Sequence, residues 1–354
     1  MNILSVYLTR AILMRTLLVL LVLLVLAGLF EFIGQLKATQ GDYGVPQALL
    51  YAVLRMPQLS FEMLPIAALI GALLGLGSLA SHSELVVMRS AGLSLASLAG
   101  MAALSGAVLM VITALIGEYI GPPLDHFART MRDAARYERE DRDIGNAGWV
   151  KDGSVILHLQ RINAEFEFGA LYIFRFNEDN SLKSIARAEN SVIDDADNWI
   201  LDNFRETRFV GDKVQVVESA RTVASFGVDA SMLGVTLVKP VSLSSRGLMS
   251  YIHYLQSNGL RSQRYEVELW SRIARTITVS IMPVLALAFV FGALRSAGAG
   301  SRLLLGVMIG LAYFLASEMT ANSGAVFDLN PAVVVWLPSL ALLLISVLAL
   351  MRVR

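Results

Sequence analysis

Four arginines, Arg129, Arg132, Arg136 and Arg139, recur at spacings of three and four in residues 121–142, GPPLDHFARTMRDAARYEREDR. On a helix this spacing stacks them on one face. Such a face grips phosphate oxygens through forked pairs of N–H donors. Asp133, Glu138, Glu140, Asp141 and Asp143 lie among them and offer the alternative, a solvated helix neutralised by its own salt bridges. Pro122 and Pro123 are expected to break the preceding helix, which restarts near Leu124 and Asp125. A second group is SHSELVVMRSAGLS, residues 81–94. Ser83 can cap the free N–H groups of a short helix and Glu84 suits its positive end. Leu85, Val86 and Met88 would project from that turn, and Gly92 would end it. The turn suits a groove on a soluble partner or a position in the lipid interface. A third group is Lys37 in FIGQLKATQ, residues 32–40. Lys37 serves either as a headgroup anchor or as a contact for an anionic lipid.

Other chemistries find no support. There is no cysteine, which excludes thiol nucleophiles and Cys-based metal sites. None of the five lysines follows a glycine, so no phosphate loop of the GxxxxGK[ST] kind exists. Gly92-Leu93-Ser94-Leu95-Ala96 falls one residue short of a nucleophile elbow and has no strand before it. Gly75-Leu76-Gly77-Ser78-Leu79-Ala80 imitates a dinucleotide fingerprint inside an apolar helix, where small residues serve close helix packing. His82, His126, His158 and His253 are scattered without metal-ligand spacing.

The elements that position these groups follow from the distribution of charge. Of 354 residues, 55% are hydrophobic and 16% charged, against about 25% charged in soluble domains. The 29 basic and 29 acidic residues cancel, so no net field favours nucleic acid. Between Glu118 and Glu268 lie 18 of those bases and 23 of those acids, so a polar middle separates two apolar ends. Residues 12–30, 63–79, 93–117, 276–294, 303–317 and 331–351 are each apolar enough to span a bilayer. Residues 26–34 lack a small-residue cleavage site, so the first segment reads as a retained span. Arg10, Arg15, Arg89, Arg295, Arg302, Arg352 and Arg354 fall on one side, whereas the short loops of the other hold Lys37 and Arg55. That bias places both termini in the cytoplasm and the middle outside.

Between about Trp149 and Val241 the periodicity changes to two. Residues 154–162, 171–176, 199–210 and 213–218 read as strands, interrupted by turns at 177–181, 194–198 and 211–212. They make a sandwich, jellyroll or partly open barrel that binds a partner or acts as a spacer. The expected organisation is residues 1–120 with three spans and a connector helix near 82–92, residues 121–262 outside, and residues 263–354 with three more spans.

Four stretches resemble the LptF/LptG family of lipopolysaccharide export permeases, and its LptG branch more than its LptF branch. They are residues 32–37, 64–92 with its SELVVM, 117–137 with Ala128-Arg129-Thr130-Met131-Arg132, and 265–295 ending in LALAFVFGALR. The resemblance implies an α-helical protein of the Gram-negative inner membrane, six transmembrane helices in a 3+3 arrangement with an inserted periplasmic β-jellyroll. It implies a non-catalytic permease subunit that extracts lipopolysaccharide from the outer leaflet. The implied partners are an LptF-like permease, an LptC-like protein, an LptA-like bridge and an LptB-like dimer that binds ATP and magnesium. No cofactor is implied in this chain. Lys37, Arg129 and Arg132 match bases that engage the lipid headgroup, and Arg136 joins them by helical spacing only. Phe314 is a candidate for the apolar cavity wall. Ser83, Glu84, Leu85, Val86, Met88 and Gly92 match the coupling helix that docks on the ATPase. Glu31, Gly34 and Thr276 depart from the pattern, standing where relatives can carry a lysine, an acid and a proline. The rivals are the LptF paralogue, a mechanotransmission or lipoprotein-release cassette protein, against which six spans with the domain after the third argue, and an intramembrane lipid-modifying enzyme, for which only Glu62 and Glu318 lie near span ends.

Overall fold

The computed structural model describes residues 3–37, 43–137, 148–159, 167–168, 170–194, 198–211, 213–227, 242–292, 298–326 and 329–352. Six helices in it are long and apolar enough to cross a membrane, three before and three after a β-domain. The first is α1, Ile3–Leu36, and the second is α2, Val45–Ser81. A short α3, Glu84–Ser90, precedes α4, Leu95–Leu115. A π-turn, Ile116–Ile120, carries the third span into α5, Gly121–Tyr137. After the β-domain come α6, Ser245–Ser257, then the fourth span α7, Gln263–Phe291, and the fifth, α8, Ala299–Val326. One turn of helix, α9 (Pro331–Val334), leads into α10, Leu337–Arg352, and the two make the sixth span.

Most spans run beyond the apolar windows that suggested them. The second begins eighteen residues before the expected Met63, with Pro46 in its first turn and the Gln47 side chain accepting from the Gly44 N–H at 3.1 Å. It is the central element, 72% buried over its apolar window, against 11% for the first span and 17% for the fifth. Small residues set the closest approaches. A Cβ on Gly75 would lie 2.9 Å from the Ala11 carbonyl oxygen, so the GLGSLA stretch is a packing seam between the first two spans.

The expected break at Pro122-Pro123 is absent, because the π-turn accommodates both prolines. The Gly121 N–H reaches back five residues to the Ile116 carbonyl. The next bond of that kind would need an N–H from Pro122, which has none. The carbonyl so orphaned, on Gly117, accepts instead from the Arg272 guanidinium of the fourth span at 2.9 Å.

Among the described residues the β-domain is a curled antiparallel sheet of eight strands. Its strands are β1 (Gly148–Asp152), β2 (Val155–Leu159), β3 (Glu167–Phe168), β4 (Leu171–Phe176), β5 (Leu182–Ala188), β6 (Asn190–Ile193), β7 (Trp199–Val210) and β8 (Lys213–Ala224). The order is β1-β2-β4-β5-β7-β6-β3, with β8 also on β7. Gly153 and Gly211 take positive φ at two hairpin turns, where a Cβ would be strained. Burial alternates along β5 and β7, so Ala186, Ala188, Trp199 and Leu201 face one core with Leu157, Leu171 and Ile173. Tyr251, Tyr254 and Leu255 of α6 plug that core. The strand expected at 154–162 is seen over 155–159, its end lying outside the described residues, and β8 runs six residues past the expected 218.

Candidate functional site

Two polar clusters sit at opposite ends of the second and third spans. The first lies where α5 leaves the bundle. Asp125 is fully buried, and three side chains from three segments converge on it. Arg129, one turn on, pairs with it bidentately, Nε to Oδ2 at 2.8 Å and Nη2 to Oδ1 at 3.3 Å. Arg55 of α2 donates from Nε to Oδ1 at 2.9 Å, and the Ser242 hydroxyl donates to Oδ2. Arg55 also pairs with Glu31 of the first span at 2.7 Å, and Gln35 donates to that carboxylate at 3.0 Å. Arg132 donates to Asp133 from Nε and Nη2 at 3.0 and 2.8 Å and to the Tyr51 hydroxyl from Nη1 at 3.4 Å. Tyr51 stacks beneath both arginines, its ring centroid 5.8 Å from the Arg55 guanidinium and 5.2 Å from that of Arg132.

These contacts orient the arginines without enclosing them. The Arg129 and Arg132 side chains remain 18% and 20% exposed. Among the described residues, Nη1 of Arg129 has no hydrogen-bond partner. Arg129, a planar cation held along one edge and open at Nη1, is suited to a phosphate oxygen, and the partly exposed Arg132 on the Tyr51 ring adds a second positive charge beside it. The alternative of salt bridges among the helix's own charges is therefore half present, since Asp125 and Asp133 serve as the orienting partners. Lys37 stands exposed at the end of the first span. The side chain of Arg136, all of Arg139, and the acids from Glu138 to Asp143 lie outside the described residues.

Arg55, Glu31, Tyr51 and Asp125 belong to this cluster and were not among the candidates. By sequence Arg55 falls in a loop, because the apolar window of its helix starts after Glu62. Pro46 in a first turn was the signal that the helix began earlier. Asp125 four residues before Arg129 is an i,i+4 pair legible in the sequence. The Glu31 departure has a local account, because this carboxylate is the Arg55 partner.

The second cluster is the connector α3. Glu84 begins the helix as expected, and its carboxylate accepts from the Tyr7 hydroxyl of the first span at 2.8 Å. Ser83 does not cap it; its backbone is left-handed, with φ 61°, and its side chain makes no cap bond. The capping serine is Ser94, whose hydroxyl accepts from the Ser97 N–H at 3.1 Å and starts α4. Leu85 and Met88 do not project either. They are buried against the spans, and the exposed apolar residues of α3 are Val86 and Val87. A seven-residue helix with i,i+3 apolar residues turns those inward when the bundle end is apolar. Gly92 closes the helix with φ 96°, its N–H bonding the Arg89 carbonyl while the Leu93 N–H bonds that of Met88. Phe314 lies half exposed on the fifth span. Among the described residues no group of three His, Cys, Asp or Glu side chains could hold a metal ion.

A family model described as lipopolysaccharide export system permease LptF/LptG matches residues 6–352. The chain belongs to the LptF/LptG family. Among its relatives, the Escherichia coli K12 lipopolysaccharide export system permease protein LptG is 32% identical over 99% of this chain and 98% of its own length. The Haemophilus influenzae LptG protein is 31% identical over 96% of this chain and 95% of its own. The family resemblance, its lean toward LptG and the expected 3+3 architecture with an inserted β-domain are thus borne out. The protein is a multi-pass inner-membrane permease of lipopolysaccharide export.

Proposed function

We propose that this chain forms half of the membrane core of an ATP-driven lipopolysaccharide extractor, with its β-domain in the periplasm and both termini in the cytoplasm. Its companion is an LptF-like permease, and an LptB-like ATPase dimer docks on α3. LptC-like and LptA-like β-proteins receive the lipid. ATP and magnesium bind the ATPase, and the role of this chain is not catalytic.

The observation that carries the proposal is the pair Arg129 and Arg132, oriented by Asp125 and Asp133 and both partly exposed, where the third span meets the β-domain. Lipid enters laterally from the outer leaflet, and these arginines hold its headgroup phosphates, with Lys37 and Arg136 as further bases. The acyl chains rest on apolar wall residues such as Phe314. Each methylene exposed to water costs about 0.8 kcal/mol, so extraction requires an apolar cavity between the two permeases. The sparse burial of the first and fifth spans within the chain supports such a cavity and a second permease to complete it. Closure driven at α3 then expels the lipid toward the β-domain. Glu84, with Ser83, Leu85, Val86, Met88 and Gly92, builds the coupling element. Within it Leu85, Met88 and Gly92 set the shape, and Val86 offers the apolar contact.

The test is photo-crosslinking of lipopolysaccharide from a probe at Met131 in the full complex. Replacing both Arg129 and Arg132 with alanine should reduce the crosslink at least tenfold, and a crosslink at the wild-type level would refute their role.

A further inference from the structure

The β-domain is tied to the third span through α6, and the tie begins inside the π-turn. Glu118 lies in that turn, and its carboxylate meets the first residues of α6. Oε2 accepts from the Ser245 N–H at 2.9 Å and Oε1 from the Arg246 N–H at 3.4 Å. Ser244 caps the same helix through the Gly247 N–H at 3.2 Å. Glu118 thus takes up donors that the serine leaves free and places a negative charge at the positive helix end.

At its other end α6 is locked into the sheet. The Tyr254 hydroxyl accepts from the Lys151 N–H at 3.0 Å and donates to the Lys151 carbonyl at 2.8 Å. Asn258 accepts from the Gly153 N–H at 2.8 Å. A 13-residue helix, about 20 Å long, therefore bridges the third span and the first β-hairpin. Asp125 also touches the approach to this helix through Ser242, but it serves Arg55 and Arg129 as well. Among the described residues, the hydrogen bonds of the Glu118 carboxylate go to α6 alone.

The geometry points to Glu118 as a positioning residue that holds the β-domain, through α6, in register with the headgroup arginines, so that lipid leaving them meets the β-domain. The transfer half of this inference rests on the proposed function; the clamp does not.

The absence of cysteine allows a clean distance measurement. Spin labels are placed on cysteines substituted for Leu115 and His253, both exposed, in the full complex in nanodiscs. The expected result is one narrow distance distribution that broadens at least twofold in Glu118→Ala and narrows again in Glu118→Asp, which keeps the charge. In parallel, lipid photo-crosslinks are read at Met131 beside the arginines and at Phe226 in the β-domain. Glu118→Ala should leave the first within twofold of wild type and reduce the second at least fivefold. An unchanged distribution, an undiminished Phe226 crosslink, or an equal fall of both crosslinks would overturn the inference. If the wild type gives no lipid crosslink at either place, the transport proposal fails while the distances still decide the clamp.

Discussion

Asp125→Ala removes the acceptor on which Arg55 and Arg129 converge at 2.9 Å and 2.8 Å and to which the Ser242 hydroxyl donates. Taking one partner from a buried ion pair costs about 3–5 kcal/mol, and a single hydrogen bond to a charged group is worth about 1.5–3 kcal/mol. The structure places this case at the lower end of the first range. Arg55 keeps Glu31 at 2.7 Å, and Arg129, 18% exposed, can turn part of its donor edge to water. The expected loss is therefore about 3 kcal/mol, roughly a hundredfold in the unfolding constant. Asp125→Asn keeps the shape and one acceptor, and should cost about half as much. The assay is reversible unfolding of the purified chain in mixed micelles, followed by tryptophan fluorescence. In a double-mutant cycle with Arg129→Ala, a coupling of about 1 kcal/mol or more is expected. A loss under about 0.5 kcal/mol, or strict additivity of the two substitutions, would refute the claim that this carboxylate organises the junction.

Further outcomes follow from other contacts. Gly106→Leu should destabilise the bundle in the same assay while Gly100→Leu does not, because a Cβ on Gly106 meets the Ser280 carbonyl and one on Gly100 meets nothing within 4 Å. Val86→Asp with Val87→Asp should abolish co-purification of the ATPase from a chain that stays folded; Leu85→Ala should instead lower stability by about 2–5 kcal/mol. In the β-domain, burial favours the neutral form of Glu206, but hydrogen bonds from Arg208 and Ser184 and the nearby Arg175 outweigh it, so its pKa falls below the ordinary 4.5. A depressed carboxylate stabilises the fold above its unfolded value, and that contribution is lost as pH falls through the folded value. Glu206→Gln should thus lower the β-domain melting temperature at pH 7, with a difference that shrinks below pH 4.5.

Long apolar windows made all six spans visible in the sequence, because the bilayer constraint acts on composition alone. Where the spans begin was less legible. The second span carries Arg55 and Tyr51 well inside its helix, since a helix continues beyond the hydrocarbon wherever polar side chains find partners. The β7–β8 hairpin was readable from alternation around Gly211, whereas β1, β3, β5 and β6 were not among the expected strands, β3 and β6 being only two and four residues long. Arg129 and Arg132 were found by helical spacing, and their carboxylate partners Asp125 and Asp133 lie close by in the chain. Tyr51 beneath Arg132 and Arg55 on Asp125 are 81 and 70 residues from those groups, and only the fold brings them together. The inward turn of Leu85 and Met88 depends on the apolar bundle end beneath α3, which no local pattern encodes. The π-turn was hidden for the same reason, because its cost is offset by Arg272 on another span.

The central claim is that lipid moves from the arginine cluster to the β-domain when α3 is driven by ATP hydrolysis. The most direct measurement places benzoylphenylalanine at Phe226, an aromatic position packed edge-on against Trp199, and follows lipopolysaccharide crosslinks in proteoliposomes of the full complex. The account predicts crosslinks that rise severalfold on adding ATP and stay at the background level when Glu84→Ala is present, while Met131 crosslinks persist in both. Crosslinks at Phe226 that form equally without ATP, or that survive Glu84→Ala, would contradict it.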